Sequence, residues 1–76
     1  MVILVGRARS AVMRALNVPT TTSSLASTLG LSAGTVSEHL TALVAAGVVQ
    51  RRRIGVRVLY ELQPAGMALL RYVDEQ

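Results

Sequence analysis

The fold of this chain is decided by residues 25–47, which read LASTLGLSAGTVSEHLTALVAAG. The first part places Leu25, Ala26 and Leu29 at i, i+1 and i+4, so that one side of a helix is apolar. Gly30 follows, and glycine is the residue that most readily takes the left-handed conformation that ends a helix. The pattern therefore predicts a short helix that ends at Gly30, followed by a turn over residues 30–32.

A second helix is predicted directly after that turn. The hydroxyl of Ser32 can cap its first turn, and Gly47 ends its apolar run. The apolar residues of this helix recur at i, i+4, i+7 and i+8: Val36, Leu40, Leu43 and Val44. Two helices joined by a tight turn form a helix-turn-helix.

The opposite face of the second helix carries only small or hydrogen-bonding groups. None of them is bulky enough to keep the backbone out of a DNA major groove, which is ~12 Å wide. We therefore expect eight residues of this helix and its cap to contact DNA: Ser32, Ala33, Gly34, Thr35, Ser37, Glu38, His39 and Thr41. Ser37 is a candidate for a base edge or a phosphate, and His39 is expected to position the helix, through a phosphate or through the backbone near the turn. Glu38 can accept from cytosine N4 but repels phosphates, so it is expected to restrict sequence choice.

The segments on either side of this motif supply further elements. Helix one is predicted to bury Ala8, Ala11, Val12, Ala15 and Leu16, with Arg9 and Arg14 pointing away. Pro19 ends it, and the β-branched run at residues 20–22 suits a short strand whose Thr22 can also cap the next helix. A final helix starts near Pro64 and buries Gly66, Leu69, Leu70 and Val73. The apolar run at residues 2–5 fits an edge strand, the end of a domain cut from a longer chain, or a dimer contact.

After Gly47 the hydrophobic period changes from 3.6 to 2, which predicts a hairpin: residues 48–54, a tight turn around Gly55, and residues 56–62. The side chains of residues 51–53, all arginines, must alternate between the two faces of a strand, so they cannot all contact the same phosphates. One of them is expected to form a local salt bridge. Arg53 and Arg57 flank the tip and are expected to reach the DNA backbone or the minor groove.

The predicted order is helix, short strand, helix, helix, two-stranded wing and helix, which is a mainly α winged helix-turn-helix. The segment GLSAGTVSEHLTALVAAGVVQRRRIGVRVLYEL resembles the ArsR family of bacterial repressors, in its G-L-S turn, V-S-x-H-L helix signature, A-G-V-V exit and Y-x-L wing end. The resemblance implies a homodimer, formed through the N-terminal and C-terminal helices, that represses transcription by occupying promoter DNA. Two departures are Glu38, where the family often has a basic or neutral polar residue, and the lack of a metal-binding cysteine pair.

The composition bounds the function further. The 76 residues are expected to form one domain over 1–76, complete or cut from a longer chain. All eight basic residues are arginines against four acids, which gives a net charge of +4 and favours a polyanionic partner, double-stranded DNA. The arginine-rich, alanine-rich composition is also what a GC-rich genome produces. With no apolar run of membrane-spanning length and no signal peptide, a bacterial cytoplasmic location is expected.

Other function classes fit the sequence less well. No cysteine exists and His39 is the only histidine, so we predict no metal site, no cofactor and no catalytic group. A winged helix that binds protein and has lost DNA binding is one alternative, against which the arginine-rich wing argues. RNA binding is another, and the two aromatic residues of the chain offer little stacking surface for it.

Overall fold

The computed structural model describes residues 6–74, with side chains through residue 72, and within that range it contains four helices and one antiparallel hairpin. In chain order the elements are α1 (Arg7–Ala15), α2 (Thr22–Leu29), α3 (Ala33–Ala45), β1 (Val49–Ile54), β2 (Arg57–Leu62) and α4 (Pro64–Asp74). This order confirms the predicted winged helix-turn-helix. The apolar run at residues 2–5 and the side chain of Val73 lie outside the described residues. None of the helices in residues 6–74 has the length and apolarity needed to cross a membrane.

The helix-turn-helix is held by caps that the sequence largely predicts. Gly30 ends α2 in the left-handed conformation at φ 67°, and the Leu31 amide donates to the Ala26 carbonyl over 3.0 Å. The Ser32 hydroxyl accepts from the Thr35 amide at 3.1 Å, as a cap of α3 must. The cap of α2 is Thr21, which accepts from the Ser24 amide at 3.2 Å, so the prediction of Thr22 is wrong by one residue.

The core lies where α1, α2 and α3 meet the base of the wing. Its buried apolar residues are Val12, Met13, Leu16, Leu25, Val36, Leu40, Leu43, Val48, Val49 and Leu62. The predicted inward faces of α2 and α3 are therefore confirmed. In α1 the prediction was partly wrong: Met13 and Ser10 are buried, whereas its three alanines are only half-buried. A methionine side chain buries far more apolar area than a methyl group, so α1 is oriented by Met13 rather than by its alanines.

The predicted short strand is a single bridged residue. Thr20 and Tyr60 exchange two backbone hydrogen bonds, of 3.0 Å and 2.8 Å, in antiparallel fashion. The pairing stops there because Thr21 caps α2 and Thr22 begins it. The bridge ties the entrance of the helix-turn-helix to the middle of β2, so the hairpin is held at a fixed position beside it.

The wing consists of β1, β2 and a two-residue turn made by Gly55 and Val56. Its register pairs Ile54 with Arg57 at the tip and Val49 with Leu62 at the base. Gly55, the first residue of the turn, has φ 63°, whereas Val56 has a negative φ, as does every non-glycine residue in residues 6–74. This combination fits a type II′ turn, one of the two turn types that commonly join the strands of a hairpin through two residues. Strand β2 starts at Arg57, one residue later than predicted.

Helix α4 packs closely against the base of the wing. Pro64 begins it as predicted, and the amide of Gln63 just before it donates to the Val48 carbonyl over 2.9 Å. Gly66 is buried at the contact: a Cβ there would overlap the Val48 carbonyl oxygen and would lie 2.6 Å from Leu62 Cδ1. Only glycine allows this approach, so α4 is fixed relative to the wing.

Candidate nucleic-acid interface

The outward face of α3 is open along its whole length. Its exposed residues are Ala33, Gly34, Ser37, Glu38, Thr41 and Ala45. Thr35 and His39 are half-buried at its edges. The first turn of the helix exposes only hydrogen atoms and methyl groups on this face, so the backbone of α3 can approach a flat or concave partner closely.

Two of the predicted contact residues are occupied in fixing the start of α3. The Ser32 and Thr35 hydroxyls hydrogen-bond to each other at 2.9 Å, and Ser32 Oγ also accepts from the Thr35 amide. Further along, the Thr41 hydroxyl donates to the carbonyl of Ser37 at 2.9 Å, so its proton is used within the helix. Thr41 therefore offers a partner a hydrogen-bond acceptor, whereas the Ser37 hydroxyl remains a donor.

His39 makes a contact that the sequence did not reveal. Its Nδ1 accepts a hydrogen bond from Arg9 Nε of α1 at 3.2 Å, rather than from the backbone near the turn. The two residues are 30 positions apart in the sequence. The apolar pattern of α1 predicted that Arg9 points away from the core, but it could not predict what Arg9 contacts. The contact joins the flank of α3 to α1, so His39 is held in position from within the chain.

The arginines of the wing have different surroundings. Arg52 forms a 2.6 Å salt bridge with Glu61, which identifies the local salt bridge that was expected. Because both groups are partly exposed, such a pair contributes at most about 1 kcal/mol. Arg53 Nε donates to the carbonyl of Gly55 at 3.4 Å, which keeps it near the tip. Arg53 pairs with Val58 and Arg57 pairs with Ile54, so Arg53 and Arg57 lie on opposite faces of the hairpin.

One arginine beside α3 was not among the predicted contact residues. Arg51 lines a cleft of about 340 Å³ between α3 and the wing, together with Ser37, Thr41, Val44 and Tyr60. The strand alternation does place Arg51 on the same face as Tyr60, its partner across the hairpin. What the pattern could not show is that this face of the wing turns toward α3.

The chemistry of these surfaces is that of a binding site. Residues 6–74 contain no group of three histidines, cysteines or carboxylates that could hold a metal ion. The outward face of α3 instead carries hydroxyl groups and the Glu38 carboxylate, and the adjacent wing carries guanidinium groups on both of its faces, with Arg51 and Arg53 on the face of Tyr60. Such a surface can bind phosphates and the edges of bases.

Comparison with known proteins identifies the family. Residues 7–52 match the family model of a helix-turn-helix domain. This chain belongs to the helix-turn-helix domain family. The resemblance to the ArsR family is confirmed, since the chain is similar to a DNA-binding domain from Mycobacterium bovis that is described as part of a possible ArsR-family transcriptional regulator. That domain is homodimeric, with 27% identity, a TM-score of 0.82 and coverage of 93% of this chain and 68% of that one.

The chain is also similar to two further proteins. The chain is 39% identical over 66 residues to the HTH-type transcriptional regulator Rv2034 of Mycobacterium tuberculosis, and the aligned region covers 87% of this chain and 62% of that protein. It also matches NolR from Sinorhizobium fredii with 26% identity, a TM-score of 0.83 and coverage of 95% and 74%. The chain thus spans less than two thirds of the length of Rv2034.

Proposed function

We propose that this chain binds double-stranded DNA sequence-specifically as a homodimeric transcriptional regulator, and that it represses by occupying promoter DNA. The observation that carries the proposal is the pairing of a small, uncovered outward face on α3 with arginines on the adjacent wing. A helix of this kind fits the major groove while cations on the wing contact the phosphates beside it. The relative Rv2034 is an HTH-type transcriptional regulator, and the Mycobacterium bovis domain belongs to a possible one, which supports the same function.

The face of α3 would read the sequence. Ala33 and Gly34 let the helix start approach the base edges, and Glu38 has the longest side chain of the exposed face. Its carboxylate can accept a hydrogen bond from cytosine N4, while its charge disfavours binding elsewhere. Ser32 and Thr35 would act by fixing the helix start, and His39 would act through its bond with Arg9.

The wing would clamp the DNA without reading it. Arg53 and Arg57 lie on opposite faces of the tip, so they can contact the two walls of a minor groove at the same time. Between them Val56 is 94% exposed, an apolar side chain that can lie against the sugars of such a groove. This arrangement supports the expectation that the wing supplies affinity and α3 supplies specificity.

A homodimer through the terminal helices is supported by α4. Met67 and Tyr72 are each 48% exposed on this helix, which is a large apolar surface for so small a chain. The Mycobacterium bovis relative is itself homodimeric. Sedimentation at micromolar concentration should give about twice the chain mass, and a monomer under those conditions would contradict the assembly.

We take residues 1–76 as one DNA-binding domain, and DNA binding is the property to test first. Fluorescence anisotropy with labelled duplex DNA should show binding that weakens as the salt concentration rises. In a plot of log K against log salt concentration, each phosphate contact should contribute a slope of about −0.9. A duplex RNA of the same sequence should bind much more weakly, because its deep, narrow major groove excludes α3. Absence of salt-dependent binding to duplex DNA would overturn the proposed function.

A further inference from the structure

The cleft between α3 and the wing is built from both elements. Ser37 and Thr41 line it from one flank of α3, and Arg51 and Tyr60, cross-strand partners on the hairpin, line it from the wing. His39 lies on the other flank of α3, toward α1. The cleft is thus separate from the contacts that fix α3 to the body of the chain.

The polar groups of the cleft are largely without partners in the part of the chain that the structure describes. The neighbouring wing arginines are engaged, Arg52 with Glu61 and Arg53 with the carbonyl of Gly55, whereas the guanidinium of Arg51 makes no such contact in residues 6–74. The hydroxyls of Ser37 and Tyr60 likewise have no hydrogen-bond partner within residues 6–74. The cleft therefore offers a guanidinium and two hydroxyl donors and contains no carboxylate.

That set of donors suits a phosphate group. A guanidinium can bind two oxygens of a phosphate side by side, and hydroxyl groups can donate to the others. An acidic side chain, which would compete for the guanidinium, is absent from the lining. Arg52 shows the contrasting case on the opposite face, where Glu61 already neutralises it.

The position of the cleft determines which phosphate reaches it. If α3 lies in the major groove and the wing tip reaches the adjacent minor groove, the strand that separates these two grooves must cross between α3 and the wing. The cleft lies at that crossing. A phosphodiester of this strand would then face Arg51 rather than the tip residues Arg53 and Arg57.

We propose that Arg51, with the hydroxyls of Ser37 and Tyr60, forms a clamp for the backbone phosphate of the DNA strand that passes between α3 and the wing. The inference rests on the proposed function. It assigns a phosphate contact to Arg51, which was not among the predicted contact residues, and to Ser37, for which the sequence left a base edge and a phosphate open. Held at this point, the strand fixes the depth and register of α3 in the major groove. Arg51 is therefore a positioning residue, whose loss weakens binding to all sequences.

The test compares Arg51→Ala with Arg52→Ala, its neighbour on the opposite face of the same strand. Both variants remove one positive charge from an exposed position, so a general loss of charge affects them alike. Arg51→Ala should weaken binding to cognate and random duplexes by about tenfold each and reduce the salt slope by about 0.9. Arg52→Ala should change either affinity by less than about threefold. Equal losses in the two variants would overturn the clamp while leaving DNA binding intact.

A second pair of measurements locates the contact. Tyr60→Phe removes one hydroxyl and keeps the ring and the backbone bonds to Thr20, so its thermal unfolding should match the unmodified chain while its affinity falls severalfold on both DNAs. Neutral methylphosphonate linkages, scanned along the duplex, should weaken the unmodified chain at one phosphate per half-site. The affinity of Arg51→Ala should not change when that one linkage is made neutral. If the neutral linkage weakens Arg51→Ala as much as it weakens the unmodified chain, the assignment is refuted.

Free inorganic phosphate carries the same chemical group as the DNA backbone, so it is the alternative ligand of the cleft. Titration of inorganic phosphate into the protein without DNA, at constant ionic strength, should leave the NMR signals of the cleft residues unchanged up to about 10 mM if the cleft is shaped for a strand held by many contacts at once. Saturation at lower concentration would identify a small-anion site and overturn the assignment to DNA. Failure of the unmodified chain to bind any duplex would instead refute the proposed function itself.

Discussion

The contact between α4 and the wing gives the sharpest prediction about stability. In Gly66→Ala the new methyl group would overlap the Val48 carbonyl oxygen and lie 2.6 Å from Leu62 Cδ1, about 1 Å short of an ordinary contact. Overpacking of this kind costs about 1–3 kcal/mol, and because one obstacle here is backbone that cannot rotate away, we expect the upper part of that range, about 2–3 kcal/mol. Alanine recovers about 0.8–1 kcal/mol through its better helix propensity. The net loss in the free energy of unfolding should therefore be about 1–2 kcal/mol.

Thermal and urea unfolding at a fixed protein concentration measure that loss. The melting temperature should fall by about 4–16 °C, because 1 kcal/mol shifts a domain of this size by about 4–8 °C. The matched control is Gly34→Ala in α3, where a Cβ meets no atom within 4 Å, so the melting temperature should stay constant or rise. A Gly66→Ala chain as stable as the unmodified one would refute the close packing of α4 against the wing.

Three further predictions concern α3 and the wing tip. Ser32→Ala removes the cap of α3 and should cost about 1 kcal/mol in urea unfolding; an unchanged midpoint would contradict the capping role. Arg57→Ala should weaken cognate and random duplexes nearly equally and reduce the salt slope by about 0.9, whereas a sequence-dependent loss would make it a reader. Glu38→Gln should tighten binding to random DNA and lower the preference for the cognate site by about tenfold, and a preserved preference would exclude Glu38 from base recognition.

The helix-turn-helix could be predicted because its signals are local. The apolar spacing of α3, the cap at Ser32 and the left-handed Gly30 each depend on residues within one or two helical turns. Gly66 was placed on the inward face of the last helix by the same reasoning. Each of these features needs no knowledge of what packs against the segment.

The features that could not be predicted depend on contacts between distant segments. Arg9 contacts His39 across 30 residues of sequence, and Arg51 lines the cleft beside α3 only because its face of the wing turns toward that helix. In α1 the alanines gave a plausible stripe, but burying Met13 removes more apolar surface from water and set the orientation of the helix. Strand alternation assigns a residue to a face, and only packing decides what that face meets.

The central claim, that α3 reads DNA as one half of a symmetric dimer, is tested most directly by selecting bound fragments from random duplex DNA. We predict enrichment of an inverted repeat whose half-sites are centred about 10 base pairs apart, one helical turn of DNA. Fragments with that repeat should bind at least about a thousandfold more tightly than random duplexes at the same salt concentration. Recovery of fragments with no shared sequence, bound no more tightly than random DNA, would contradict the account.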